Sequence, residues 1–247
     1  MKKAVLLLFL FLPGKSLISQ TTDFAKAEAA LIREFQDYRN ADYEIRFDSL
    51  RQNLRARVEN LLSRPESFDH DFDSLSKHIS LIKSGDGKVR IFSWDELTGG
   101  TWHDMAVMVQ FKTSEEEIKT QWIDSDISEE PTGMTSAIQY EVNTLEINGK
   151  THYLCFGWGT YGSGHHHHSI LVFSIENDSL KVCSNCIEEK HSFIQAPRSE
   201  KIDLKYNKPE KTISFNEFKY DEESGFSKAT GQVVLLKLKN GKFVKVR

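Results

Sequence analysis

Phe24, Ala27, Leu31, Phe35 and Tyr38 are spaced by 3, 4, 4 and 3 positions, which puts them on one face of a helix. Phe47, Leu50, Leu54, Val58 and Leu61 repeat that spacing. The second stripe is out of phase with the first, whose continuation falls on Ser49 and Gln52. A break over residues 40–44 is therefore expected, giving a helical pair packed on the main body. Arg51, Arg55, Arg57 and Glu59 are expected on its solvent side, and Pro65 is expected to end the second helix.

Beyond residue 70 the apolar period shortens to two, the spacing of strands. Segments 88–94, 105–111, 137–147, 151–158, 169–175, 180–183, 201–206, 212–215, 232–238 and 242–246 fit that pattern. Asn148-Gly149 and Asn240-Gly241 are type I′ hairpin signals, and Glu176-Asn177-Asp178 marks a further turn. Residues 114–133 are rich in Glu and Asp and read as an exposed acidic loop. The expected fold is α+β, mostly β. A helical lead (20–66) precedes an antiparallel β-rich domain (67–247) built as a sandwich, barrel or propeller-like meander.

The first residues follow a different logic. Lys2 and Lys3 precede an unbroken apolar run, 4–12, and then Pro13, Gly14, Ser16 and Ser19. This is the layout of a secretory signal peptide (1–19), cleaved near Ser19–Gln20. The run is far shorter than the roughly 20 residues a membrane span needs, so no span is expected after its removal. The reading implies an exported protein, periplasmic or secreted. Removal of Lys2, Lys3 and Lys15 leaves 29 basic against 36 acidic side chains, moving the net charge from −4 to −7. An acidic surface is the wrong sign for nucleic acid, which is excluded as a partner. With 39% hydrophobic and 28% charged residues, the rest is an ordinary globular composition.

Within the β-rich part, Asp86-Gly87-Lys88-Val89-Arg90-Ile91-Phe92-Ser93-Trp94-Asp95 leads to Thr98-Gly99-Gly100-Thr101. It combines a turn, an alternating strand and a second turn. The segment resembles D-G-K-x-R-I-[FY]-S-W-D-x-x-T-G-G-T, found in uncharacterised exported proteins of Bacteroidota after a helical lead. The resemblance covers residues 86–101. It implies export and a helical lead with a β-rich body, and it transfers no catalytic residue. A packed Trp94 and an Arg90–Asp95 pair are expected at the strand end. Trp94, Trp102, His103 and, further on, Trp158 are the candidate ligand-binding side chains.

The remaining chemistry lies between residues 157 and 186. Gly157, Gly159 and Gly162 match G-x-G-x-x-G, but a strand rather than a helix follows. A dinucleotide site is therefore rejected, and a tight, mobile glycine loop is expected. His165, His166, His167 and His168 offer imidazoles to a metal, and weak binding of zinc or nickel is expected there. Alternate members share a face, so His166 with His168, or His165 with His167, would pair. A third ligand would come from His152, His103 or Cys155. Cys183-Ser184-Asn185-Cys186 has disulfide-compatible spacing, and a local bridge fits an oxidising compartment. No G-x-S-x-G, H-E-x-x-H or Walker loop occurs. The sequence therefore points to a non-enzymatic binding or interaction protein of the cell envelope, with an envelope or extracellular ligand and no obligatory cofactor. The alternative is a metal-dependent hydrolase built on a His165–His168 loop.

Overall fold

The computed structural model describes residues 16–45, 49–98, 100–123, 137–162, 164–223 and 225–246, with side chains from residue 23 onward except at 189. The expected signal run 4–12 lies outside them. Helix α1 (Ser16–Asn40) starts ahead of the expected cleavage point and ends at the foreseen break. A single turn, α2 (Tyr43–Ile45), precedes α3 (Arg51–Leu62). Helix α3 stops three residues before Pro65, which instead opens a 3-10 turn, Pro65–Asp69.

Thirteen strands follow among the described residues, three more than the sequence pattern separates. They form three antiparallel meanders. The first sheet is β1 (Ser80–Lys83), β2 (Val89–Asp95), β3 (Met105–Lys112) and β4 (Ile118–Trp122). The second is β5 (Ile138–Ile147), β6 (Lys150–Tyr161), β7 (His165–Glu176) and β8 (Ser179–Val182). After the short helix α4 (Glu189–Ser192), β9 (Phe193–Pro197) pairs with the N-terminal half of β7. The third is β10 (Lys205–Asn207), β11 (Thr212–Asp221), β12 (Phe226–Lys239) and β13 (Lys242–Lys245). The fold is α+β and mostly β. Asn148 and Gly149, and Asn240 and Gly241, have the positive φ values that type I′ turns demand.

Strand alternation explains the layering. Phe92, Trp94, Ala106 and Met108 share a cluster with Phe35, Leu54 and Val58 of the helices. Their neighbours Val89, Ile91, Val107 and Val109 face the other way, onto Tyr153, Cys155, Leu171 and Phe173 of the second sheet. The intervening residues Leu154, Phe156, Ile170 and Val172 face Ile213, Val234, Leu236 and Phe243 of the third. The order is helices, first sheet, second sheet, third sheet, so the two middle sheets are covered on both faces. Trp94 is only 2% exposed, in edge contact with Phe35 and Trp122. It is a packed core residue, as the strand-end reading expects.

Polar side chains fasten the helices to the first sheet. Glu96, with 1% of its side chain exposed, receives Arg51 Nε at 3.0 Å. It also receives Arg55 through Nε at 2.6 Å and Nη2 at 2.9 Å. Arg51 and Arg55 therefore face the sheet, not solvent as the helical stripe suggests. The Tyr38 hydroxyl donates to the Glu96 carbonyl. Buried Arg90 donates to the carbonyls of Ser67 at 2.9 Å, Phe68 at 2.7 Å and His70 at 2.9 Å. The expected Arg90–Asp95 pair is thus replaced by a guanidinium that terminates the helical segment.

Other departures have similar causes. The acidic segment contains β4, because Ile118, Thr120 and Trp122 complete the edge of β3; residues 124–136 lie outside the described ones. Residues 201–204 are irregular, and the strand starts only at Lys205. Gly157 and Gly159 belong to β6 and not to a mobile loop. A Cβ at Gly157 would lie 2.6 Å from Ser169 Oγ, 2.7 Å from Ala137 Cβ and 2.7 Å from Gln139 Nε2. The glycine is there because the neighbouring segment leaves no room for a side chain.

Two substitutions test this arrangement by urea denaturation. Glu96→Ala leaves two guanidiniums without their carboxylate and should cost about 3–5 kcal/mol. Gly157→Ala overpacks a filled site and should cost about 1–3 kcal/mol.

Candidate functional site

The four histidines occupy the middle of a sheet. His165, His166, His167 and His168 are paired on one side with Tyr161, Thr160, Gly159 and Trp158 of β6, and on the other with Pro197, Ala196, Gln195 and Ile194 of β9. They form a strand, not the expected loop. Alternation then splits them. His165 and His167 are buried, stacked on Phe226 and Phe193 respectively. His166 and His168 share the opposite face, their ring centroids 5.7 Å apart and nearly perpendicular.

That second pair builds the site. Trp158 Nε1 donates to His166 Nδ1 at 3.1 Å. His166 Nε2 lies 3.0 Å from the Glu200 carbonyl, which can only accept, so Nε2 carries the proton and the ring is a neutral imidazole. Both nitrogens of His166 are thus engaged, and the ring is held in one tautomer. Tyr140, projecting where β5 has its register shift, bonds His168 Nδ1 at 2.8 Å through its hydroxyl. Burial pushes the Tyr140 phenol well above its ordinary range, so the O–H remains a donor. Burial, reinforced by His166 and His167, pulls His168 down to about 4. Burial also lowers His166, against the Glu200 hydrogen bond.

Beyond β9 the chain crosses this face. Arg198, Ser199, Glu200, Lys201, Ile202, Asp203 and Leu204, together with Tyr140, His166 and His168, line a cleft of about 560 Å³. Ile202 and Leu204 anchor the crossing segment in the core below. Tyr140 is 38% exposed and Trp158 37% exposed, so aromatic surface is open beside hydrogen-bonding groups. The charged lining is balanced, with Arg198 and Lys201 against Glu200 and Asp203.

The other candidates lie elsewhere. Trp102, 39% exposed, packs on Tyr161 with centroids 4.6 Å apart. Tyr161 is three residues from Trp158 and so projects from the opposite face of β6. His103 Nδ1 bonds Asp95 Oδ2 at 2.7 Å, and its backbone N–H donates to Thr160 Oγ1 at 2.7 Å. This pairing closes the 96–104 loop. The four predicted ligand-binding residues therefore divide into one core residue, a Trp102–His103 patch and Trp158 at the cleft. Sequence reasoning missed Tyr140, Glu200 and Arg198. Tyr140 carries a bulge and the other two an irregular segment, neither of which has a periodic signal.

A larger cavity, about 870 Å³, opens at the far end of the β5–β6 and β7–β8 hairpins and is lined by mixed charge. Several of its charged groups are engaged with one another or with hydroxyls, as in Tyr153 to Asp86 at 3.0 Å and Lys150 to Glu176 at 3.5 Å. Cys183 and Cys186 are disulfide-bonded, with Cα atoms 5.4 Å apart, and Cys155 is a buried thiol. Among the described residues no helix is long and apolar enough to cross a membrane. Comparison with protein-family models, curated proteins and solved structures gives no match.

The His168 environment makes a pH prediction. The unfolded imidazole titrates near 6.5 and the folded one near 4, so the unfolded chain takes up its proton first. This contribution to stability is whole above about pH 6.5, falls as the pH drops from there, and is lost once the pH passes below about 4. His168 is partly exposed, so the loss should be on the order of 2 kcal/mol. Thermal denaturation between pH 7.5 and 4.5 should show the wild type losing more stability than His168→Gln.

Proposed function

We propose that this chain is an exported, non-enzymatic binding protein of the cell envelope. Its ligand sits in the cleft of Tyr140, His166 and His168. The observation that carries the reading is the fixed, uncharged hydrogen-bonding array of Trp158, His166, His168 and Tyr140 beside open aromatic surface. With both His166 nitrogens engaged, His168 Nε2 and the Tyr140 hydroxyl are the uncharged groups left to meet a ligand, and the ionic lining cancels. The matching ligand is a neutral, hydroxyl-rich molecule with apolar faces, of the sugar class, and the cleft volume suits a small molecule. Lys2, Lys3 and the apolar run 4–12 support export, as does the resemblance of residues 86–101.

Metal-dependent hydrolysis is less well supported. It needs several donors on one ion, whereas β7 sends its histidines to two faces and both His166 nitrogens are engaged.

Binding can be read by tryptophan fluorescence and saturation-transfer NMR against neutral oligosaccharides, acidic glycans and peptides. Neutral saccharides should bind, and Tyr140→Ala should weaken them about tenfold, while His103→Ala should leave them unchanged. Failure of every saccharide, or binding indifferent to Tyr140→Ala, would refute the assignment.

A further inference from the structure

His152, Cys183 and Cys186 come together although the histidine and the first cysteine are 31 positions apart. One donor atom from each lies within 4.8 Å of the others, the one group of three such donors among the described residues. His152 sits on the face of β6 that meets the third sheet, and Cys186 is buried in the same cluster. The cysteine turn follows β8 and folds back onto that face.

The geometry points to a divalent-metal site, of the zinc class, formed by His152 and the two sulfurs once the disulfide is reduced. Three features support it. A C-x-x-C turn allows two thiolates to chelate one ion. The His152 ring is already oriented: Nδ1 lies 3.0 Å from the Lys150 carbonyl, which can only accept, so Nδ1 holds the proton and Nε2 keeps its lone pair. Protein ligands to zinc are commonly held by such a carbonyl contact. Finally, the turn is fixed by bonds that do not involve sulfur. Cys183 N–H donates to Val172 O at 2.8 Å, and Phe243 N–H donates to Cys186 O at 2.7 Å. Reduction therefore releases the sulfurs without releasing the backbone that carries them.

The chemistry balances with a phosphine reductant. The phosphine gives two electrons to the S–S bond and takes the oxygen of a water to become its oxide. The two protons of that water end on the two sulfurs. The incoming ion then displaces both thiol protons to solvent and is held by two thiolates and His152 Nε2, with a fourth position open to water. Oxidation to the disulfide removes two of the three ligands, so metal occupancy follows the redox state.

Cobalt(II) is the probe, since thiolate ligation gives charge-transfer absorption. Phosphine-reduced protein should show these bands at one equivalent of cobalt, and zinc should abolish them by displacement. The disulfide form should show none. His152→Ala should weaken binding at least about tenfold. Cys155→Ser should bind as the wild type does, because that thiol is buried in another cluster. Three results would overturn the site: no bands in the reduced protein, bands unchanged in His152→Ala, or loss of the far-ultraviolet dichroism of the fold on reduction alone.

Discussion

The buried carboxylate of Glu96 is the contact on which the architecture depends. It lies just past the end of β2, where the backbone leaves the first sheet, and takes two arginines from α3. Its carbonyl accepts from Tyr38 of α1, so one residue positions both helices. A buried ion pair of this kind is not a large source of net stability against an apolar replacement. What it supplies is register. Hydrophobic contact with Phe92 and Trp94 is non-directional, whereas a helix sliding by one turn would leave a carboxylate and two guanidiniums unmatched. Arg90 and Gln110 extend the same logic: each projects from the helix-facing side of the sheet and saturates carbonyls at the end of the helical segment.

Covering the first sheet with helices sets the rest. With its outer face occupied, its inner face must close on the second sheet, and the second sheet must then find a third. Strand β7 is at the centre of that stack and changes partner along its length, from β9 at its start to β8 at its end. The change creates the cleft. The chain leaving β9 must cross the face of β7 to begin the third sheet. It crosses over His166 and His168, anchored beneath by Ile202 and Leu204. The imidazoles lie neutral under that crossing because burial penalises their charged forms, and the contacts to Glu200 and Tyr140 suit the neutral ring.

Much of this organisation is legible in the residues. Two out-of-phase apolar stripes announce the two main helices, and Asn-Gly pairs mark two hairpins. Other parts are not legible, for identifiable reasons. Alternation in 88–94 suggests one wet face, but every residue from Val89 through Trp94 is buried, because polar Arg90 and Ser93 find partners inside. The arginines of α3 look like a solvent face because their partner Glu96 is about 40 residues away. The Gly-rich, His-rich stretch looks like a loop, since neither residue type favours a strand. Yet Gly157 is demanded by the close approach of Ser169 and Gln139, and the histidines are held by β6 and β9. In each case a tertiary partner reverses the local signal.

The same reasoning separates the two places where metal chemistry can be sought. Adjacent histidines in a strand are close in sequence but diverge in space, and each added neighbour goes to the other face. The two that share a face are already committed to Trp158, Glu200 and Tyr140. Nitrogens spent on those contacts are not open to an ion. His152 is a single histidine with no cluster to advertise it, but the turn after β8 returns to its strand face with two sulfurs. There the imidazole is oriented by a backbone carbonyl and its remaining nitrogen is a lone-pair donor. Density of metal-binding residue types along the chain is therefore a poor guide here. Convergence of β6 with the turn after β8 is the better one, because a chelate needs donors that approach one point.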